Sequence, residues 1–289
     1  MKLSRGEALF SRLNVVLLGV LGLTTLLPFL FMIAQSFSSH RAIMSGEVYF
    51  WPVDFTLAAY TEVFRDQAFA RAFLVSVART VVGSALSVAV TSLLAYPLAK
   101  PYIRGRRFML FLVTFTLIFG GGMIPTYLIV RELGLLNTFW AYLLPGAVSA
   151  FNVIIMKNFF QSVPAEIEES AIMDGCSNTG TLFRIVVPLS MPAVATIGLF
   201  HAVGHWNSFF DAVLYVNDRS LYPLQVYLRE LIQFDESNIQ LKDNLGQQLL
   251  ASESLKAATL VATILPILIV YPFLQKYFVK GMMLGSVKG

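Results

Sequence analysis

Long apolar runs without a single charged side chain recur six times along the chain. They cover residues 13–34, 80–99, 108–130, 133–156, 185–210 and 257–275. A helix that crosses the hydrocarbon core of a bilayer needs about 20 mostly apolar residues, and these runs meet or approach that length. Run length separates a membrane helix from a buried helix segment better than periodicity does. The pattern therefore predicts an all-α, polytopic membrane protein with six transmembrane helices in one domain, residues 1–289.

Two longer polar stretches separate these runs, at residues 40–79 and 211–256. The first contains the helix-like sequence FTLAAYTEVFRD, and the second contains LYPLQVYLRELIQF. In the second, Leu224, Leu228 and Leu231 recur at helical spacing. Both stretches are predicted to hold helices on the outer membrane face. Two interpretations remain open for them, a scaffold on the membrane surface and a docking surface for an extracytoplasmic partner.

The composition supports a membrane protein and argues against nucleic-acid binding. Of the 289 residues, 56% are hydrophobic and 13% are charged, whereas soluble domains carry about 25% charged residues. The net charge of +4 comes from basic residues scattered in short loops beside the apolar runs, which is typical of membrane orientation signals. The single cysteine, Cys176, excludes an intrachain disulfide and a site with several cysteine ligands.

The distribution of Lys and Arg predicts the orientation of the chain. With the N-terminus inside, the cytoplasmic segments carry twelve Lys and Arg against five Asp and Glu, and the outer segments carry the other nine and twelve. The segment KPYIRGRR at residues 100–107 is the strongest basic signal. Both termini are therefore predicted to be cytoplasmic. The first apolar run is longer than the core of a signal peptide, and we interpret it as a retained signal-anchor helix.

The cytoplasmic loop at residues 162–184 carries the most informative polar pattern. Glu166, Glu168 and Glu169 lie at the start of a predicted short helix, where the helix dipole favours anions. Gly175 follows, and glycine readily takes the left-handed conformation that ends a helix. Ser177 can cap a second helix. The loop is thus predicted to form a short helix, a sharp glycine turn and a second helix at the membrane surface.

The first of these helices is predicted to be amphipathic. Ile167, Ala171 and Met173 form an expected apolar edge opposite the glutamates. An interfacial helix lying among lipid headgroups is one interpretation. Anionic lipids, however, repel an acidic helix, so a protein partner with basic groups explains the sequence better.

The same loop resembles the EAA loop of ABC importer permeases, whose pattern is EAAxxDG, nine residues, then IxLP. The matching residues are Glu169, Ala171, Asp174, Gly175, Ile185 and Pro188. The departures are Ser170 and Val187, both of which are conservative in size. In that family the loop is the coupling helix, which sits in a cleft of the ATPase subunit. The resemblance implies an ATPase-coupling role for Glu166, Glu168, Glu169, Ala171, Asp174 and Gly175.

A second resemblance concerns residues 119–160, which are similar to the oligosaccharide-uptake branch of these permeases. That branch includes the smaller permease subunit of maltose importers and the permeases for uronate-containing oligosaccharides, and the chain is more similar to the latter. The resemblance implies a multi-pass protein of the bacterial inner membrane. Its implied partners are a second homologous permease, two ATPase subunits and an extracytoplasmic solute-binding protein that delivers an oligosaccharide.

The residues give no sign of catalysis in this chain. No GxxxxGK[ST] phosphate loop occurs, so ATP and Mg are expected to be bound by the partner ATPase, and no cofactor by this chain. The three histidines lack the neighbouring Cys, His and acidic residues that a metal site needs. The alternative function is a secondary transporter without an ATPase partner. Such a transporter is expected to place ion-binding residues at the bilayer midplane, and the six runs contain no Asp or Glu.

Polar residues near the fifth run are the candidates for a substrate pathway. The candidates there are His205, Trp206, Asn207 and Asp211, with His201 nearby. Polar groups inside a membrane usually face the bundle interior, although hydrogen bonds between helices and an interfacial tryptophan explain them equally. Gly121, in the triplet Gly120–Gly122, is a further candidate, and close helix packing or a local break are the alternatives. Two interpretations are open for Arg79, contact with an acidic sugar and a structural arginine that reaches towards the interface, and the second is preferred.

Overall fold

The computed structural model describes residues 5–238 and 253–286, and every regular element in these ranges is a helix. The predicted all-α fold class is therefore confirmed. The α-helices are α1 (Arg5–Ser36), α2 (His40–Met44), α3 (Ala58–Arg65), α4 (Gln67–Ala99), α5 (Arg106–Ile118), α6 (Met123–Glu132), α7 (Ala150–Gln161), α8 (Ala165–Met173), α9 (Asn178–Thr181), α10 (Val187–Leu189), α11 (Met191–Asn207), α12 (Phe210–Tyr215), α13 (Leu224–Asn238) and α14 (Glu253–Ser286). Short 3₁₀ helices cover Phe139–Tyr142 and Arg219–Leu221, and a π-helical turn covers Leu182–Val186.

Three helices of the described ranges are long and apolar enough to cross a membrane by themselves. They lie at Leu9–Ser36, Gln67–Ala99 and Glu253–Pro272. Two bent helix pairs bring the number to five if each pair is one span. By length and composition, the described ranges thus contain three to five of the six predicted spans, because three of the predicted runs are interrupted.

The third and fifth predicted runs are broken helices. In the third, α5 and α6 meet at an angle of 115° across the glycine triplet. The triplet is therefore a local break, one of the two structural alternatives for it. In the fifth, the segment Asn178–Leu189 and α11 meet at 88°, and Ser190 lies at the bend.

The fourth predicted run, residues 133–156, is not one helix. Asn137 has a φ of +58°, and Pro145 follows the 3₁₀ turn Phe139–Tyr142. Both features oppose a continuous α-helix. Regular helix resumes only in α7, which is capped by the side chain of Ser149.

The second predicted run, residues 80–99, is the later part of a longer helix. α4 begins at Gln67 and passes through Arg71 and Arg79 without a break. Arginine is a good helix former, so a charge ends an apolar run without ending the helix that carries it.

The chain divides into two compact units, which are described separately. The first comprises Met1–Ala70 and Leu228–Leu265, and the second comprises Arg71–Tyr227 and Pro266–Gly289. In the first, Ser39 caps α2, and the Tyr60 hydroxyl donates to Ser36 Oγ over 2.9 Å. The helices predicted in the polar stretches are confirmed as α3 and α13. The single permease domain over residues 1–289 stays a prediction.

The second unit contains an apolar core that joins four of its elements. α4, α7, the π-helical turn and α11 all contribute fully buried side chains to it. The core residues include Ala95, Leu98, Met156, Phe160, Leu182, Val186 and Ile197. Because burial of each large side chain stabilises by about 1.5–3 kcal/mol, this core fixes the relative positions of the helices that carry the residues discussed below.

Candidate functional site

The predicted helix–glycine–helix element is present at residues 165–189. α8 ends at Met173, and Gly175 has a φ of +85°. Gly175 N donates to Ile172 O over 2.9 Å, and Cys176 N donates to Ala171 O over 3.0 Å. These two hydrogen bonds form a Schellman motif, which requires a left-handed residue at the position of Gly175. The predicted glycine turn is therefore confirmed.

The second helix of this element is capped as the sequence predicts. The Ser177 side chain accepts a hydrogen bond from Gly180 N over 3.2 Å. Helical structure continues from α9 through the π-helical turn Leu182–Val186 into α10 and stops at Ser190. The element thus leads without a loop to the bend that precedes α11.

The buried face of α8 consists of one charged and one small residue. Glu168 and Ala171 are buried, whereas Ile167 is 41% and Met173 is 87% exposed. Of the predicted apolar edge, Ala171 therefore lies on the buried side of α8, and Ile167 and Met173 lie on its accessible side. Glu168 takes the inward position because it has a buried cationic partner.

That partner is Lys100, which directly follows α4. Lys100 Nζ donates to Glu168 Oε2 in an ion pair. The Tyr96 hydroxyl donates to the same carboxylate oxygen over 2.9 Å, and the Lys100 ammonium lies 4.7 Å from the centre of the Tyr96 ring. Both contacts reach the same oxygen of Glu168, and both come from within this chain.

The remaining acidic groups of the element face outwards. Glu166, Glu169, Asp174 and Gly175 are all exposed. Of the six predicted coupling residues, these four are accessible, and three of them are acidic. The other two, Glu168 and Ala171, form the inward face. The ATPase-coupling role of all six stays a prediction.

A second candidate site is a polar cavity in the same unit. Its volume is about 400 Å³, which lies in the range typical of small-ligand sites. The cavity is lined by side chains from α4, α6, α11 and α12 and from residues 141–146. Tyr142, Phe200 and Tyr215 supply aromatic surface, and Arg79, His201, His205 and Asp211 supply polar groups.

A buried ion pair lies on the wall of this cavity. The Arg79 guanidinium donates to Asp211, and its Nη1 donates to Ser208 O over 3.2 Å. The guanidinium also lies 4.5 Å from the centre of the Tyr142 ring. The Arg79 side chain is 1% exposed and that of Asp211 is 22% exposed. Arg79 is therefore a buried, paired residue, as expected of a structural arginine, and its guanidinium is held inside the fold.

The two histidines of α11 differ in their contacts. His201 Nε2 lies 3.0 Å from Asn152 Nδ2, and because an amide nitrogen only donates, the imidazole nitrogen accepts. His205 Nε2 is buried without a hydrogen-bond partner in the described part of the chain. The His205 ring packs against Gly83 of α4, where an added Cβ would lie 2.5 Å from Nε2.

The structure brings only part of the predicted substrate pathway together. His205 and Asp211 line the cavity. Trp206 instead faces an apolar groove and packs edge-to-face on Phe73, with ring centroids 6.1 Å apart. Asn207 is exposed and donates to Val203 O, and Gly121 is exposed and does not line the cavity. A substrate role for these five residues stays a prediction.

Sequence reasoning missed Tyr142 and Ser208 and did not find the partner of Arg79. Arg79 carries the one recognisable signal, a charge inside the long helical pattern that precedes the second apolar run. Its partner Asp211 is 132 positions away, so no local spacing joins them. Tyr142 lies in the interrupted fourth run. Because that run was predicted to be one helix, the sequence offered no sign that Tyr142 lines the cavity.

The chain is similar to a known protein family, to curated relatives and to a solved structure. A family described as "Binding-protein-dependent transport system inner membrane component" matches residues 8–284. Protein LplC of Bacillus subtilis is 47% identical, with 99% of this chain and 97% of LplC covered. The polygalacturonan/rhamnogalacturonan transport system permease protein YtcP of the same organism is 45% identical, with 97% and 99% covered. The crystal structure of a bacterial ABC transporter involved in the import of the acidic polysaccharide alginate contains a chain that is 37% identical. It has a TM-score of 0.87, with 96% of this chain and 99% of that one covered.

Proposed function

Because the chain belongs to the family of binding-protein-dependent transport system inner membrane components, it is a membrane subunit of an importer, and we propose that it moves an oligosaccharide with energy from a separate ATPase. The subunit would pair with a second, homologous permease and with two ATPase subunits. An extracytoplasmic binding protein would deliver the sugar. The family is one of binding-protein-dependent systems, which argues against the secondary-transporter alternative.

The observation that carries this proposal is the acidic, exposed surface of α8 and its glycine turn. Glu166, Glu169 and Asp174 project from a short helix whose position is fixed by buried contacts on its other side. Anionic lipids would repel this surface, whereas a cleft with basic groups would bind it. The surface leads directly into the bend before α11, so a displacement of α8 would reach the helix that lines the cavity.

The polar cavity supports a sugar as the transported molecule. Tyr142, Phe200 and Tyr215 offer aromatic faces for sugar rings. Asp211 and the histidines offer acceptors for hydroxyl groups. Among the described lining residues Arg79 is the permanent cation, and Asp211 already neutralises it. The cavity therefore fits hydroxyl groups. The acidity of the sugar is proposed from two relatives, a permease of a polygalacturonan/rhamnogalacturonan transport system and a chain of a transporter involved in alginate import.

The cellular placement follows the same proposal. The apolar helices and the family indicate a protein of the bacterial inner membrane. We place both termini and α8 on the cytoplasmic side, where the basic segment at residues 100–107 also lies. No catalytic role is proposed for the chain itself.

Reconstitution tests the proposal directly. The complete complex, with its binding protein, is placed in proteoliposomes, and ATP hydrolysis and sugar uptake are measured together. The sugar panel contains oligogalacturonides and alginate oligosaccharides, with neutral oligosaccharides of the same length as matched controls. We expect ATP-dependent uptake of the uronate-containing sugars.

Each result bears on a separate part of the proposal. Uptake of neutral sugars alone would contradict the acidic substrate class, but it would still support the importer function. The absence of a copurifying ATPase, or uptake that does not depend on ATP, would overturn the ATPase-driven mechanism.

A further inference from the structure

The junction between α4 and α8 is a second buried polar site, separate from the cavity. Glu168 is buried beneath α8, with 5% of its surface exposed. Its carboxylate accepts from both Lys100 and Tyr96. The side chains of the ion pair are 13% and 7% exposed, so water screens this pair far less than it screens a surface pair.

The end of α4 is tied to the neighbouring helices as well. Arg106 Nε donates to Leu98 O over 2.8 Å, and Gln161 Nε2 donates to Ala99 O over 3.3 Å. The last carbonyls of a helix have no partner within it, and here side chains from the starts and ends of other helices satisfy them. Tyr96 also packs edge-to-face on Phe160, with ring centroids 6.4 Å apart. The end of α4 is therefore a rigid anchor.

We propose that Lys100, Glu168 and Tyr96 form a strut that fixes the coupling helix α8 to the end of α4, so that movement of α8 also moves α4. This inference rests on the proposed ATPase coupling. It assigns Glu168 to transmission within the chain, and leaves contact with the ATPase to Glu166, Glu169 and Asp174. Lys100 and Tyr96 are thereby positioning residues for transport.

The physical basis is the difference between the two faces of α8. A helix of nine residues is too short to be stable by itself in water, so its contacts with the rest of the chain must stabilise it. Its inward face offers only Glu168 and Ala171 as buried residues, and alanine adds little contact. The buried, charge-assisted contact to Lys100 is therefore the strongest link between α8 and α4. Without it, α8 could move with its partner while α4 stays behind.

The test measures sugar transported per ATP hydrolysed in the reconstituted complex. We expect Lys100→Met and Glu168→Gln to lower this ratio by about tenfold, within the range that coupling free energies between two sites cover. ATP hydrolysis itself should continue. Tyr96→Phe keeps the ring packing on Phe160 and removes one hydrogen bond, so its ratio should fall less.

The matched control is Lys157→Met, which removes one charge at the end of α7, where Lys157 donates to Asn158. Its ratio should stay at the value of the unsubstituted complex. The charge-exchanged double variant, Lys100→Glu with Glu168→Lys, should recover part of the ratio, which a loss of folding would not allow.

The outcomes separate this inference from the proposed function. If the unsubstituted complex shows no ATP-dependent uptake, the proposed function fails. If it transports and the Lys100 and Glu168 variants keep the normal ratio, the strut is refuted. A parallel loss of hydrolysis and transport, with no recovery on charge exchange, would also refute it and indicate a structural pair.

Discussion

The Arg79–Asp211 pair predicts an unequal response to the loss of either partner. Asp211→Asn leaves the Arg79 charge in a site that is 1% exposed. Ser208 O and the Tyr142 ring remain as partners, but neither carries a negative charge. Leaving a buried charge without its counter-charge costs about 3–5 kcal/mol.

The reverse change costs less, because Asp211 has other support. In Arg79→Met the carboxylate keeps hydrogen bonds from Ser208 Oγ at 2.8 Å and Ala212 N at 2.9 Å. Its side chain is 22% exposed, so water can also solvate it. We expect a loss of about 1.5–3 kcal/mol, the contribution of hydrogen bonds to a charged group.

Thermal unfolding of the purified protein measures the difference. At about 2–4 °C per kcal/mol for a domain of this size, Asp211→Asn should lower the Tm by on the order of 10 °C. Arg79→Met should lower it by about half as much, and the double variant by less than the sum. Equal effects, a larger effect of Arg79→Met, or additive effects in the double variant would refute the reasoning.

Two glycines give further predictions that conservative pairs of variants can test. Gly175→Ala places a Cβ in open space but on a left-handed residue, which costs about 1–2 kcal/mol of backbone strain. Asparagine tolerates that conformation, so sugar uptake per ATP should fall more with Gly175→Ala than with Gly175→Asn. Equal losses would contradict the requirement for a left-handed turn. Gly83→Ala would place a Cβ 2.8 Å from two carbons of the His205 ring, and overpacking of this kind costs about 1–3 kcal/mol. Uptake should therefore fall with Gly83→Ala and recover in part when His205→Ala is added, and no recovery would show that the two residues do not act through this contact.

The helix–glycine–helix element at residues 165–189 could be predicted in detail because its signals are local. Gly175 and Ser177 act on backbone groups within a few positions of themselves, so the sequence alone indicates the turn and the cap. The direction in which α8 faces is not local. It depends on Lys100, which is 68 positions from Glu168, and no periodicity within nine residues contains that information.

An apolar run does not by itself predict where a helix begins, ends or is interrupted. For α1 the run and the helix coincide, since the helix contains the whole predicted run. In residues 133–149 they do not, because Asn137 and Pro145 interrupt the helix while the surrounding residues remain apolar. The boundary of α4 was misplaced for the opposite reason. Arg79 ended the apolar run, but its charge is neutralised by Asp211 inside the fold.

Two buried ion pairs of the described residues involve α4 or the residue that follows it, and this gives the helix a particular place in the proposed mechanism. Arg79 joins it to α12 beside the cavity, and Lys100, just beyond its last residue, joins it to α8. At about 1.5 Å per residue, these two attachments lie about 30 Å apart along the helix axis, close to the thickness of the hydrocarbon core. Between them α4 runs without a break, whereas α5–α6 and α10–α11 are bent. A continuous helix transmits a displacement along its length better than a bent one, so α4 offers a second route, besides the bend before α11, by which a movement of α8 would reach the Arg79 side of the cavity.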